Sequence, residues 1–474
     1  MQCAVSMSAL AAAGLRAAER TFQPGLLSSQ RDVWDQQVWM AKLGPKYTGN
    51  KAHTTFVEFL ATEFKKAGCD VAHDRYTLPR WDATRWSIDV EGEGAGFKAP
   101  VTSYFPYSGH TSAMGVTGGL VYAGGNPKFT LSGLQGKVAL IDFATNTREW
   151  AKVYQQWGIN PPGEKFPDAM RPARGAVNDL TQFQKAGAVA VILGWTDVSD
   201  ANAADQYTPF SRPPQGIPGL YVGRGTLARL RALGSGARAT VVLEADTFPD
   251  TPTDTLIATL PGTTDEVVIV NTHTDGPNAT EENGALGILA LAKYFAKIPK
   301  SERKRTLVFP LTTGHFAGPW VPSIRGVIEK HPDLIKRAVA AVTVEHLGCR
   351  EWMDTTLADG RSMKYAATGK NEWSVAITPD KAMGRALTDA LQGSRDRAGV
   401  VNPANGGWLG EGSSLSRAGI PTIGYIPQPN YLLAGPADGC IEKLSPELLQ
   451  SQIQVFAKLL HTIETMTAGQ LKGA

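Results

Sequence analysis

The chain is poor in cysteine, with 4 in 474 residues, and no two of them form a CxxC pair. Cys3, Cys69, Cys349 and Cys440 therefore build neither a zinc knuckle nor the disulfide framework of a small secreted domain, and they are expected as buried free thiols. Long apolar runs are missing too: nothing approaches the ~20 residues needed to cross a bilayer. Clustered basic residues are also lacking. Lys and Arg number 47 against 44 Asp and Glu, a net charge of +3, which leaves no footprint for a nucleic-acid backbone. Met1 to Leu15 is Ala-rich and mildly apolar, but Arg16 and Arg20 follow the apolar part instead of preceding it. No signal peptide is read there, and a cytoplasmic location is favoured. No internal repeat or low-complexity tract interrupts the chain. What is present is 42% hydrophobic and 19% charged residues, with 50 Gly and 30 Pro marking many turns. That is the composition of a folded globular protein of two to four domains, at roughly 100–200 residues each.

Between Gln30 and Phe64, apolar residues recur at helical spacing, and Gly44, Pro45 and Gly49 divide them into two helices. Cys69 to Leu78 reads as a strand. From about 98 to 245 the texture changes to short β-rich runs, notably Lys137–Phe143, Val189–Leu193 and Ile217–Val222, with Tyr154–Ala176 and Ser199–Pro214 expected as long loops. After Asp254, strands and helices alternate: Val267–Val270, Gly284–Lys297, Thr306–Leu311, Ala338–Val344, Lys381–Gln392, Pro421–Ile426 and Pro446–Met466. The pattern predicts a discontinuous α/β domain over residues 1–97 and 246–474, with a mixed, mainly parallel central sheet flanked by helices. A β-rich module over residues 98–245 is inserted into it.

In an open α/β sheet, chemistry gathers just past the carboxyl ends of strands. Here the Val267–Val270 strand runs into His273-Thr274-Asp275, and Thr280-Glu281-Glu282-Asn283-Gly284 opens the following helix. Two further strands run into Gly314-His315 and Glu345-His346. One such His is an ordinary core histidine, and one such Glu an ordinary helix cap. Three successive strand ends carrying His or Glu point to a site in which an imidazole ligates a metal and Asp275 orients it. His53, His73, His331 and His461 are expected at the surface, and His110 of the inserted module is placed to reach over the site.

At these residues the chain resembles the co-catalytic zinc aminopeptidases, a family that includes glutamate-carboxypeptidase-like enzymes. Further likenesses are Leu43–Gly49 followed by His53, Thr255–Gly262, Arg417-Ala418-Gly419-Ile420-Pro421, and a protease-associated texture in Leu134–Val138 and Ala186–Ile192. The resemblance implies that His273, Glu282 and Glu345 hold a first metal ion, zinc or another divalent metal, with Glu281 as a spare carboxylate for acid or base work. The family's second ion depends on a Glu-Glu pair and a late His. In this chain Thr312-Thr313-Gly314-His315 stands in place of the first, and Asn430–Ala434, without an imidazole, in place of the second. Three readings stay open: a hydrolase of an amide or related bond with a mononuclear or rebuilt metal site, a metal-independent acid/base enzyme in the same cleft, and a non-catalytic binding protein. His315 and His346 are expected to complete the metal shell or serve as base, with Asp275 and Glu281 beside them. Glu411, in the place of the family's specificity loop, is expected on the substrate side with Trp408, Tyr431 and Trp320. The expected partner is a peptide or small-molecule substrate, and a homodimer is compatible with the sequence.

Overall fold

The computed structural model describes residues 22–472 except 93–95, 126–127, 146–147, 150–153, 168, 171–178, 207–213 and 405–407. Cys3 and the Met1–Leu15 segment lie outside the described residues. The apolar runs of the second half become the centre of one sheet. Thr306–Thr312, Val267–His273, Ala338–Val344 and Thr422–Pro427 pair in that order, all parallel, and their residues are almost all buried. Strands covered on both faces need no polar alternation, which is why they read as continuous Val, Ile and Ala. On one face the helices Gln30–Ala41, Lys51–Lys66, Gly284–Ala296 and Pro446–Thr465 share a single core with the sheet. The Gly284–Ala296 helix is apolar nearly all round and correspondingly buried. The other face is closed by Ile324, Val327, Leu334 and Leu415 from shorter helices. The fold is thus mixed α/β, with a large, mainly parallel sheet flanked by helices.

One strand, Arg238–Leu260, ties the halves together. Its first residues pair with Val116–Gly125 and its last with Thr306–Thr312, and it lies antiparallel to Asp70–Glu91 along almost its whole length. Among the described residues the 16-stranded sheet therefore runs on through residues 98–245, whose parallel strands Lys137–Phe143, Ala190–Trp195 and Gly219–Val222 carry apolar clusters of their own.

The Tyr154–Ala176 segment, of which 168 and 171–176 lie outside the described residues, contains a strand where its polar composition suggests a loop. Gln155–Asn160 crosses to the α/β half and adds antiparallel to Arg397–Asn402 at the far edge of the sheet. Trp157 packs on the main core, and Tyr154 and Phe166 pack with Trp373. Within Ser199–Pro214, Asp200–Ala203 forms one helical turn capped by Ser199; 207–213 lie outside the described residues. Cys69, Cys349 and Cys440 are buried free thiols. Among the described residues no helix is long and apolar enough to cross a membrane.

Gly284 lets its helix start against the end of a central strand: a Cβ there would sit 2.1 Å from the Val344 carbonyl oxygen and 2.6 Å from Thr272 Oγ1. Gly284→Ala is expected to destabilise the protein by about 1–3 kcal/mol, read as a lower urea midpoint at unchanged slope.

Candidate metal centre

His273 is the last residue of a fully buried strand, His315 follows the left-handed Gly314 just past the next strand, and Glu345 and His346 follow the third. Glu281 comes from the buried turn before the Gly284–Ala296 helix. The potential ligand atoms of His273, Glu281 and His315 lie within 4.8 Å of one another, and so do those of His273, Glu345 and His346. The two groups share His273, so the five side chains form one cluster.

Each imidazole spends one nitrogen on an acceptor outside the cluster. Nδ1 of His273 lies 2.9 Å from the Asp275 carbonyl oxygen, and Nδ1 of His346 lies 2.7 Å from that of Pro427. A carbonyl only accepts, so both rings donate from Nδ1, and in the neutral form Nε2 presents a lone pair to the cluster. His315 Nδ1 lies 2.8 Å from Glu411 Oε1, which fixes the same tautomer beside an ionised Glu411. On the inner side, His346 Nε2 is 3.1 Å from Glu281 Oε2 and 3.8 Å from Glu345 Oε2, His273 Nε2 is 3.7 Å from Glu345 Oε2, and His315 Nε2 is 3.8 Å from Glu281 Oε1. Even the 3.1 Å approach lacks hydrogen-bond alignment: Nε2 of His273 and His346, and Oε2 of Glu281 and Glu345, are buried without an aligned partner. Groups that converge so closely without bonding one another are suited to hold a metal ion, and rings anchored through their second nitrogen are the usual support of such ligands. The residues fit a divalent metal that accepts imidazole and carboxylate, zinc foremost.

Charge explains the arrangement. Burial would push the Glu281, Glu345 and Glu411 carboxyls up, but the histidines hold all three below their ordinary range. In return, burial alone would strip His273 of its proton, yet Glu345, then Glu281 and Asp275, hold it up to about 10. His346 is held up against burial by Glu281 and then Glu345. At 3.7 Å the His273–Glu345 contact is too long for a hydrogen bond, so the attraction is between charges. The cluster demands positive charge, from protons or from a metal ion.

Backbone strain and a glycine complete it. His346 has φ +57°, an uncommon conformation for a residue with a side chain and one that recurs at functional sites. Gly410 has φ +73°, and a Cβ there would lie 2.3 Å from Glu345 Oε1. Its position lets the next residue's N–H, on Glu411, donate to that oxygen at 2.9 Å.

Several expected positions change. Glu282 is turned out of the cluster: its Oε1 is 2.6 Å from Lys46 Nζ, with both side chains wholly buried, while Glu281 takes the inward place. The Asp275 carboxylate does not reach the His273 ring; it accepts from Thr48 Oγ1 at 2.6 Å and from the N–H groups of His315 and Phe316, both at 3.2 Å. Glu411 does not line a substrate wall but sits behind His315, where Ser323 Oγ (2.9 Å) and Ile324 N (3.3 Å) also donate to it. Tyr431 is buried, with its hydroxyl committed to the carbonyls of Arg350 and Lys443. Trp408 packs against Gly412 and Gly424, and Trp320 packs at a tilt against Tyr107. His53 is buried, bonded to Thr274 Oγ1 and the Gly49 N–H, whereas His110 is exposed and belongs to neither ligand group. No role for Lys46, Thr48 or Ser323 is legible in the sequence, although Lys46 and Thr48 lie in the Leu43–Gly49 segment that carries part of the resemblance.

Fold and cluster together define an α/β protein with the architecture of zinc aminopeptidases. No protein-family model and no curated protein matches the chain, but solved structures do. A Peptidase M28 precursor from Shewanella amazonensis is similar with a TM-score of 0.65 and 17% identity, over 93% of this chain and 95% of that one. The zinc aminopeptidase BSAP from Bacillus subtilis gives 0.60 and 16%, over 93% and 97%. An aminopeptidase from Aneurinibacillus sp. strain AM-1 gives 0.57 and 17%, over 93% and 96%. At these identities the likeness is one of fold.

Lys46→Met strands Glu282 as a buried unpaired charge and is expected to cost about 3–5 kcal/mol. Lys46→Met combined with Glu282→Leu, which removes both charges, should recover most of that loss in the same denaturation experiment.

Proposed function

We propose that the protein is a hydrolase that cleaves an amide or related bond of a peptide or small molecule with the help of one divalent metal ion, held by His273, Glu281, Glu345 and His346. The observation that carries this reading is the set of imidazoles anchored through Nδ1 that turn Nε2 onto the same two buried carboxylates. A bound ion supplies Lewis-acid polarisation of a substrate carbonyl. The charge balance favours a single ion: two carboxylates neutralise one divalent cation, and a second would leave an excess of positive charge among side chains that are almost wholly buried. The similarity in fold to aminopeptidases favours a peptide bond as the target, and the module over residues 98–245 is read as a protease-associated-like insertion.

His315 is assigned the acid–base role. Its side chain is 14% exposed, against 0–2% for His273, His346, Glu281 and Glu345, so it is the imidazole that meets substrate. Glu411 holds the ring with Nδ1–H outward and Nε2 ready to accept a proton, and it balances the imidazolium that results. Ser323 and the Ile324 N–H keep Glu411 in line, and the Asp275 carboxylate holds the backbone from which His315 projects.

Inductively coupled plasma mass spectrometry of untagged protein is expected to find about one metal ion per chain, lost in His273→Ala and retained in His315→Ala. His315→Ala should also lower metal-dependent turnover in a panel of aminoacyl anilides and acyl amides by ~10²–10⁴-fold. Two ions per chain contradict the single-ion assignment. Failure to bind metal under any loading condition leaves protonated imidazoles as the cluster's positive charge and favours metal-free acid–base chemistry.

A further inference from the structure

A cavity of about 280 Å³ opens where the Pro45–Asn50 segment, the Arg80–Ala83 stretch of the long strand and the Tyr104–Tyr107 loop of the insertion meet. It adjoins the metal centre through two residues that line it. Thr48 donates to the Asp275 carboxylate, and Phe316 donates its N–H to the same carboxylate while its ring lies 5.0 Å from that of His315 and 6.3 Å from that of His273.

Its walls are aromatic: Tyr47, Trp81, Tyr104, Tyr107 and Phe316. Trp81 lies 5.8 Å from Tyr104 and 5.9 Å from Tyr107 between ring centroids, within the spacing of favourable aromatic pairs. Tyr107 is fixed from behind by Trp320 at 4.8 Å and from within by φ +53°. Apart from the Trp81 indole N–H, which is buried without a hydrogen-bond partner, the polar groups that line the cavity are engaged. Asn50 donates to the Pro45 carbonyl and accepts from the His53 N–H. Arg80 donates to the Gly49 carbonyl, lies 3.1 Å from Asp82 and covers the Phe248 ring. The hydroxyls of Tyr47 and Tyr104 bond each other, and that of Tyr107 is bonded to the Trp81 backbone. An entering group thus meets ring faces and a neutralised ion pair, with no free charge to recognise. The volume falls just below the ~300–1,000 Å³ of pockets that take a whole ligand, and so suits one part of a larger one.

We infer that this cavity is a specificity subsite that receives an uncharged aromatic group of the substrate, with the insertion supplying one wall. The assignment rests on the reading of the His273 cluster as the reacting centre. Isothermal titration calorimetry of the full chain with 4-phenylbutanamide, 4-cyclohexylbutanamide and butanamide tests it. The phenyl probe should bind one per chain and at least tenfold more tightly than butanamide, with the cyclohexyl probe weaker than phenyl. Ala83→Phe, which fills the cavity from its rim, should abolish the preference, as should Trp81→Ala. Equal binding of phenyl and cyclohexyl probes overturns the aromatic assignment, and a preference that survives both variants overturns the site. His273→Ala separates the two ideas: it should lose metal and keep the probe preference. If the purified protein proves to be metal-free, the preference still decides the cavity's role.

Discussion

Carboxylates withdrawn from water at one point require positive charge at that point, and the centre is organised around this requirement. Glu281 and Glu345 are both buried at the ends of elements that the core holds rigidly. An ion left uncompensated there costs several kcal/mol even after relaxation. The three imidazoles, each tied back through Nδ1, the left-handed His346 and the bare backbone at Gly410 are the means by which that compensation is brought within reach. One residue along the chain, Glu282 obeys the same rule with a different partner, Lys46. Two adjacent carboxylates are thus sent to opposite counter-charges, one structural and one chemical.

This separation explains what could and could not be read from the sequence. The central strands were legible because a run such as Val267–Val270 is apolar at every position, and so were the strand ends where polar residues collect. Which of Glu281 and Glu282 faces inward was not legible, because it is set by Lys46, 236 positions away from Glu282, through a buried ion pair. The place of Glu411 behind His315 is not legible either, since only the fold shows that the Gly410 turn folds over Glu345. Tyr431 looked like a substrate contact because nothing local reveals that its hydroxyl is taken up by two carbonyls. Gln155–Asn160 read as a loop because an edge strand with polar neighbours carries a weak pattern.

The resemblance to two-metal aminopeptidases and the present arrangement differ in kind of charge as much as in number of ligands. Where the resemblance implies a Glu-Glu pair, this chain carries Thr312-Thr313-Gly314-His315, and His346 stands beside Glu345. A carboxylate replaced by a neutral imidazole lowers the positive charge the site can hold, which is the ground for proposing one divalent ion. The carboxylate that remains nearby, Glu411, is used behind an imidazole, where it tunes a proton-carrying group. The long strand Arg238–Leu260 pairs with both Thr306–Thr312 and Val116–Gly125, and Tyr104 and Tyr107 line a small cavity together with Phe316.

The central claim is that one ion sits among His273, Glu281, Glu345 and His346. Anomalous scattering at the zinc edge from crystals of zinc-loaded protein tests it most directly. The account predicts a single peak about 2.1 Å from Nε2 of both His273 and His346, bounded by Glu281 and Glu345. A pair of peaks ~3.5–4 Å apart, or a single peak bound to Glu282, would contradict it.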